Sequence, residues 1–333
     1  MQGILRFQPI YKETIWGGRK LESIYQRNIP TGKIGESWEI SDYGQDLSII
    51  TNGVLAGKSF RECYKQYKQD ILGTMFADTK RFPLLVKIID ADDWLSVQVH
   101  PDDAYTQKYA PKKFGKKETW YVLQTDANAQ IICGFEEETD KELYRQKILD
   151  NKAEIGLKHF LPNPGDLFMI EPGTIHAIGK GNLLLEVQQS SDCTYRVYDY
   201  GRKDKEGNLR ELHIDRALEV LNFSNKNDVT PKAKKIAFPH GERVVLTHND
   251  KYRMDLFTVS SSFTSQQVSP VRTFQIVSIV EGTLEVTCEQ EVEKFQTGDS
   301  FLISAYGSDK VTLVPQVTRT RLVVTLPGLD WLA

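Results

Sequence analysis

Short apolar segments bounded by turn-forming residues run through most of this chain. Examples are residues 84–89, 120–123, 166–170 and 183–187, each flanked by Gly, Pro, Asn or Asp. Because regular helices do not separate these segments, they favour antiparallel β structure over a parallel βαβ fold. The sequence therefore predicts a mainly β protein, built as a sandwich or barrel.

Helical signals are confined to three places. A helix is expected from residue 59 to about residue 76, and Thr139 opens a possible capping box for a helix that runs through Leu149. The third helix follows Glu211, where apolar residues from Ile214 to Leu221 keep the spacing of one buried helical face. We expect these helices to form an accessory layer on the β structure.

Length and composition indicate two domains. A chain of 333 residues that is 40% hydrophobic can bury more than one core. Residues 224–235 have the polar, lysine-rich composition of a linker. The expected division is a first domain with helical insertions at 1–230 and a second β domain at 231–333.

A weak internal repeat relates these two domains. The segment 298–303 echoes the segment 165–170, since both read Gly-Asp followed by a short strand. The residues after the second copy include no histidine that matches His176. We therefore expect the C-terminal domain to be a degenerate copy of the first.

Charge and cysteine content narrow the function classes. A net charge of -3 means that the chain lacks the excess of basic residues typical of proteins that bind nucleic acid. No apolar run approaches the ~20 residues needed to span a membrane. The four cysteines form no CxxC pair, so neither a zinc knuckle nor a disulfide framework is indicated. The start of the chain lacks the apolar core of a signal peptide, so a cytoplasmic location is expected.

One predicted strand carries a candidate metal site. In Leu95-Ser96-Val97-Gln98-Val99-His100, side chains alternate between two faces, so Ser96, Gln98 and His100 share one of them. A carboxylate follows at Glu118 and a second imidazole at His176, and nitrogen and carboxylate oxygen are both zinc ligands. Taken singly, each residue could be an ordinary buried or surface polar group. The combination predicts a metal centre in the domain at 1–230, and we expect the C-terminal copy to have no metal ligands.

The order of these residues follows the cupin pattern, and the flanking stretches closely resemble the short bacterial type I mannose-6-phosphate isomerases (phosphomannose isomerases). The resemblance spans nearly all of residues 5–223 and is especially specific in Tyr195-Arg196-Val197-Tyr198-Asp199-Tyr200-Gly201-Arg202. The matching stretches are 11–18, 35–41, 82–87, 95–102, 115–121, 172–178 and 195–202.

The resemblance implies a fold, a cofactor and a set of roles. The fold would be two cupin-like antiparallel β-barrel or jelly-roll domains, and the cofactor one Zn²⁺ per chain. The substrate would be a sugar phosphate, with mannose 6-phosphate and fructose 6-phosphate interconverted through a cis-enediol. The implied residues are Gln98, His100, Glu118 and His176 for the metal, Arg196, Lys116 and Glu186 for catalysis, and Lys87, Ser96 and Arg202 for substrate binding.

Several alternatives stay open. The proton-transferring base could be Glu186, Lys116 or a zinc-bound water. Two histidines and a carboxylate also describe the iron site of non-haem oxygenases, although an amide ligand and the surrounding cations fit that class less well. A non-enzymatic sugar-binding cupin is the other alternative, but it would not need a metal flanked by cations. The sequence does not determine the oligomeric state.

Overall fold

The computed structural model describes residues 1–76, 78–111, 113–204, 206–225, 230 and 233–328. Residues 226–229, 231 and 232 of the predicted linker lie outside this set. The helices are α1 (Lys20–Ser23), α2 (Phe60–Gln66), α3 (Lys68–Leu72), α4 (Asp103–Tyr109), α5 (Lys141–Leu149), α6 (Ile214–Val220) and α7 (Ser265–Val268), with 3-10 turns at Gly53–Leu55 and Thr74–Phe76.

Strands make up most of the remaining regular structure. The first are β1 (Ile4–Gln8), β2 (Ile10–Gly18), β3 (Ile34–Ile40), β4 (Asp42–Tyr43), β5 (Asp46–Leu47), β6 (Ile49–Ile50), β7 (Leu84–Asp90), β8 (Val97–Val99), β9 (Glu118–Thr125), β10 (Ile131–Phe135), β11 (Leu157–Phe160) and β12 (Leu167–Ile170). They are followed by β13 (His176–Ile178), β14 (Asn182–Gln189), β15 (Tyr195–Tyr198), β16 (Lys234–Phe238), β17 (Gly241–His248), β18 (Tyr252–Val259), β19 (Phe263–Thr264), β20 (Gln275–Glu281), β21 (Thr283–Cys288), β22 (Glu291–Gln296), β23 (Ser300–Ile303), β24 (Val311–Pro315) and β25 (Thr320–Pro327).

The chain divides into two compact units, and both are discontinuous in sequence. The middle unit comprises Tyr11–Ser37 and Lys87–Pro231, and the terminal unit comprises Met1–Ile10, Trp38–Val86 and Lys232–Ala333. The expected division into 1–230 and 231–333 coincides with these units only at the boundary near residue 231. The reason is long-range strand pairing: β1 lies antiparallel to β23, with Ile4 opposite Ile303.

Two sheets packed face to face form the middle unit. One has the strand order β12-β9-β14-β7-β3-β2 and the other β11-β10-β13-β8-β15. Their inner faces share one apolar core, in which Trp120 and Phe168 come from the first sheet and Ile131 and Ile178 from the second. Alternation along each strand leaves the remaining inner positions free for polar side chains.

Helices cover the outer face of the five-stranded sheet, as the predicted accessory layer requires. Val97 and Val99 of β8 pack there with Tyr144 of α5 and Leu218 of α6. The predicted helix from residue 59 to 76 is broken into α2, α3 and a 3-10 turn. Leu95 does not share the outer face with Val97, because it precedes the strand and joins the inner core instead.

The terminal unit is also built from stacked sheets. An eight-stranded sheet of order β16-β17-β18-β25-β20-β23-β1-β6 and a four-stranded sheet of order β19-β24-β21-β22 contribute to one apolar core. The mainly β architecture with antiparallel sheets is therefore confirmed, although among the described residues no ladder closes a sheet into a barrel. No helix in the described part of the chain is long and apolar enough to span a membrane.

Candidate metal centre

The five-stranded sheet places three predicted site residues in a row. Gln98 on β8 lies opposite His176 on β13 and, across its other edge, opposite Arg196 on β15. Residues directly opposite each other in antiparallel strands project from the same face of the sheet. Strand register alone therefore brings together side chains that are far apart in sequence.

A tight turn positions His176. Thr174 N–H donates to the Glu171 carbonyl at 3.0 Å, with Pro172 and Gly173 at the centre of the turn. Gly173 has a φ of +86°, the left-handed conformation that a type II turn requires at this position. A Cβ atom there would also lie 2.8 Å from the Val220 carbonyl oxygen, so both the conformation and the space favour glycine.

Both imidazoles are oriented by backbone carbonyls. His100 Nδ1 lies 3.0 Å from the Cys193 oxygen, and His176 Nδ1 lies 2.9 Å from the Thr174 oxygen. A carbonyl can only accept, so each Nδ1 carries the hydrogen and each Nε2 presents a lone pair. This arrangement is typical of histidines that bind metals.

The environment keeps these rings neutral. Burial, followed by the nearby Lys116 charge, lowers the pKa of His100, and burial and the neighbouring His100 lower the pKa of His176 to about 3. The ring centroids are 4.7 Å apart. Neutral imidazoles are the form that a metal ion binds.

Glu118 completes the cluster from the opposing sheet. Its Oε1 lies 3.4 Å from Nε2 of both His100 and His176. Burial would raise the pKa of this carboxyl, but Lys116 and then His100 hold it well below its usual range. Lys116 Nζ is 2.6 Å from Glu118 Oε2 and 3.2 Å from His100 Nε2.

The cluster fits a metal ion by its donor atoms. His100, Glu118 and His176 offer ligand atoms that all lie within 4.8 Å of one another. Glu118 Oε1 is buried and has no hydrogen-bond partner among the described residues, whereas Oε2 is paired with Lys116. The fourth predicted ligand, Gln98, lies beside them, with its amide 3.2 Å from His176 Nε2. Two imidazoles, a carboxylate and an amide suit zinc, although the donor set does not exclude other divalent ions.

A cavity of about 450 Å³ lies beside the cluster. Its lining mixes apolar side chains, including those of Trp16 and Trp120, with an unusual number of charges. A pocket of this size and polarity suits a small charged ligand. The charged or polar lining residues that bear on function are Glu36, Lys87, Ser96, Gln98, Lys116, Glu186, Asp192, Arg196 and Arg210.

Lys87 and Glu186 form a buried pair in this cavity. Lys87 Nζ lies 3.2 Å from Glu186 Oε1 and 3.5 Å from Glu36 Oε2, and the Trp120 indole donates to Glu186 Oε2 at 2.9 Å. Burial raises the pKa of Glu186 even though Lys87 opposes it. Burial would lower the pKa of Lys87, but Glu36 and Glu186 raise it. Lys87 and Glu186 each lie among apolar residues in the sequence, and each has the oppositely charged partner that a buried charge needs.

The predicted arginines are placed differently from each other. Arg196 lines the cavity, and its Nη1 donates to the Glu211 carbonyl at 2.7 Å. Arg202 is absent from the described residues that line the cavity, and it pairs instead with Asp199 at 2.6 Å and Asp93 at 3.5 Å.

Sequence reasoning missed several residues that line the cavity, among them Glu36, Trp120 and Arg210. Glu36 lies in the matching stretch 35–41, and Trp120 shares a strand face with Glu118, so alternation could have indicated it. Arg210 follows the turn signal Gly207-Asn208, which predicts that the chain folds back after Arg202.

The fold and this cluster define a mainly β protein with a candidate metal centre at the wall of a charged cavity. Residues 4–136 match the model of the phosphomannose isomerase type I catalytic domain. The chain is 38% identical over 301 residues to the mannose-6-phosphate isomerase of Streptococcus mutans, covering 90% of this chain and 92% of that protein. It is 36% identical over 309 residues to mannose-6-phosphate isomerase ManA of Bacillus subtilis, covering 91% and 93%.

A solved structure agrees with these relatives. The crystal structure of the mannose 6-phosphate isomerase from Bacillus subtilis superposes with a TM-score of 0.86 at 29% identity, covering 98% of this chain and 100% of that one. The chain belongs to the type I phosphomannose isomerase family.

Proposed function

We propose that this protein interconverts mannose 6-phosphate and fructose 6-phosphate, using one zinc ion per chain held by Gln98, His100, Glu118 and His176. One observation carries the proposal: two imidazole Nε2 atoms converge on a single buried carboxylate oxygen beside a charged cavity. The names of the relatives support the substrate. When bound, zinc would supply positive charge that polarises the sugar oxygens near the reacting carbons.

Proton transfer between C2 and C1 through a cis-enediol needs a base, and Glu186 is the residue we assign. Its pKa is raised by burial, which suits a carboxylate that must take up and return a proton near neutral pH. Lys87 and Trp120 fix both of its oxygens, so its position in the cavity is set. Lys116 is the alternative candidate, although its contact with Glu118 commits its charge to the metal cluster.

Arg196 has a separate role in this proposal. Its guanidinium lines the cavity and stays charged through the reaction, so it can stabilise negative charge that develops on the enediol oxygens. Its Nε is buried and has no hydrogen-bond acceptor among the described residues.

A coupled isomerase assay on purified protein, combined with metal analysis, tests the function. We expect turnover of mannose 6-phosphate, about one zinc per chain and loss of turnover after chelation. Solvent deuterium at C1 or C2 after turnover in deuterated water would support the cis-enediol over a direct hydride transfer. Full activity in verified metal-free protein would contradict the zinc assignment.

Glu186→Gln separates the two candidate bases. It keeps the shape of the side chain but removes the basic oxygen, so turnover and solvent exchange should fall by ~10²–10⁴-fold with zinc retained. If Lys116→Met abolishes exchange while Glu186→Gln retains it, then Lys116 is the base. A cytoplasmic location, and the absence of nucleic-acid and membrane partners, stay predictions from the sequence.

A further inference from the structure

The cations that line the cavity differ in how their charge is offset. Lys116 lies 2.6 Å from the Glu118 carboxylate, and Lys87 lies between Glu186 and Glu36. An anionic ligand group near either lysine would meet carboxylates as well. Two arginines, Arg196 and Arg210, line the same cavity. Arg196 forms no ion pair among the described residues, and Arg210 shares its one carboxylate, that of Asp199, with Arg202, so these arginines are the better candidates to bind an anion.

A short hairpin brings Arg210 into this position. Lys203 and Leu209 form an antiparallel bridge, and Asp204 N–H donates to the Asn208 carbonyl at 2.8 Å. Gly207 has a φ of +86°, as the turn between them requires. The chain therefore folds back on itself, and Arg210 returns beside Arg202.

One buried carboxylate, that of Asp199, holds both of these arginines. Arg202 Nη2 donates to Oδ1 at 2.6 Å, and Arg210 Nε donates to Oδ2 at 2.7 Å. Arg210 Nη2 also donates to Asp199 Oδ1. Asp199 thus engages the Nε and Nη2 side of the Arg210 guanidinium, which orients the group and leaves the Nη1 side for a ligand.

The charges around Asp199 do not cancel. Arg196, Arg202 and Arg210 contribute three positive charges, whereas the described ion pairs link only Arg202 and Arg210 to carboxylates, those of Asp199 and Asp93. Burial and then the Arg210 charge lower the pKa of Arg196, as expected for two cations near one space. A bound anion would relieve that repulsion, and guanidinium groups match the geometry of phosphate oxygens.

We propose that Arg210 binds the phosphate group of the substrate, and that Asp199 and Arg202 are positioning residues that hold Arg210 in place. This inference rests on the proposed function, because it assigns the part of the site that recognises the phosphate. It transfers to Arg210 the role that the family resemblance implied for Arg202. It also removes that role from Lys87, whose charge is shared between two carboxylates.

Kinetics of zinc-loaded variants with mannose 6-phosphate test the assignment. Arg210→Ala should raise KM by about 10- to 100-fold, the range for losing charge-assisted hydrogen bonds, with kcat changed by less than a few-fold. Arg202→Ala should raise KM by a smaller factor, because it only loosens Asp199. Arg145→Ala is the matched control, since Arg145 pairs with the exposed Asp215 and does not line this cavity. A larger KM effect for Arg202→Ala than for Arg210→Ala would overturn the proposal.

Two further variants test whether Arg210→Ala raises KM only because it disturbs the surrounding structure. Arg210→Lys keeps the charge and should recover part of the KM loss. The double variant Arg210→Ala/Asp199→Asn also removes the carboxylate charge that has lost one of its two arginines, and its KM should equal that of Arg210→Ala alone if Asp199 acts through Arg210. A double variant with KM restored to the wild-type value would show that the single variant failed only through the altered charge balance at Asp199, and would overturn the proposal.

Binding of inorganic phosphate separates this inference from the proposed function. Calorimetric titration of zinc-loaded wild type and Arg210→Ala should show about 10-fold or greater loss of phosphate affinity in the variant. Equal affinities would refute the role of Arg210 even if the wild type is an active isomerase. A wild type without isomerase activity, but with phosphate binding that depends on Arg210, would support the inference and refute the function.

Discussion

The turn before β12 in the middle unit and the turn before β23 in the terminal unit have the same backbone structure. Gly165 has a φ of +97° and donates to the Val122 carbonyl at 2.8 Å, and Gly298 has a φ of +95° and donates to the Ile279 carbonyl at 2.8 Å. The aspartate after each glycine accepts from a backbone N–H three residues before it. The two segments of the internal repeat seen in the sequence therefore share the same turn hydrogen bonds.

The side chains at equivalent positions differ sharply. Ile170 lies opposite Glu118, and its counterpart Ile303 lies opposite Gln275. The Gln275 amide donates to the Ser265 carbonyl at 3.0 Å. A neutral, internally bonded amide thus stands in the terminal unit where the middle unit carries the carboxylate of the metal cluster.

A second pair of positions shows the same replacement. In the middle unit, Trp120 lies opposite Glu186, whereas in the terminal unit Val277 lies opposite Val324 in the apolar core. A buried carboxylate needs partners, but two valines need only close packing. The same backbone can therefore hold either a reactive polar cluster or an apolar core, and the side chains decide which.

The largest effect on zinc affinity and turnover should come from replacing Glu118 by glutamine, the residue that Gln275 provides at the equivalent position of the terminal unit. Glu118→Gln replaces the only anionic donor of the cluster, so zinc affinity should fall by more than the ~10–100-fold measured for outer partners of metal ligands. Turnover should fall with it. Metal content after dialysis and the isomerase assay measure both effects, and His100→Ala should behave alike. An active Glu118→Gln variant that retains stoichiometric zinc would refute the cluster.

The next effect concerns Arg196, a charge in the cavity that does not bind the metal. Arg196→Ala removes a permanent charge expected to act on the developing enediolate, so kcat should fall by ~10²–10³-fold with a smaller change in KM. Zinc content must equal that of the wild type for the comparison to hold. Near-normal kcat in a zinc-loaded variant would leave Arg196 with a structural role only.

A backbone change should have a moderate effect on the middle unit. Gly173→Ala forces a left-handed alanine and places its Cβ 2.8 Å from the Val220 oxygen, so unfolding free energy should drop by about 1–2 kcal/mol or more and zinc affinity should weaken. Gly165→Ala is the control, because its Cβ would meet only Tyr121 Oη at 3.8 Å. Thermal unfolding and zinc titration measure both variants, and equal zinc affinities would show that the turn does not position His176.

The smallest effect is expected in the terminal unit. His240 contacts the Ser261 hydroxyl at 3.2 Å and the Gln267 amide at 3.0 Å, and His248 is exposed. His240→Ala and His248→Ala should leave zinc content and kcat within experimental error of the wild type. Loss of zinc in either variant would place a metal site in the terminal unit and remove the contrast between the two units.

The sequence was sufficient to locate the ligands of the candidate metal centre. Alternation along a strand groups Gln98 with His100, and the Pro172-Gly173 turn signal precedes His176, so both features depend on residues close together in the chain. Glu186 could be singled out because a charge within an apolar segment needs a partner, and Glu118 because a carboxylate at that point completes the ligand pattern of Gln98, His100 and His176. Local patterns of this kind do not depend on how the rest of the chain folds.

Only the tertiary structure decided which side chains contact each other and which segments of the chain share a sheet. Lys87 pairs with Glu36, Arg210 reaches the cavity in place of Arg202, and β1 joins a sheet made largely from the end of the chain. Each outcome depends on the register and packing of strands that are distant in sequence, and the local pattern of either strand is compatible with several registers. Turn signals and strand alternation, which depend on neighbouring residues, therefore determined which residues were candidates for the site. Pairing between strands distant in sequence determined which of those residues contact each other.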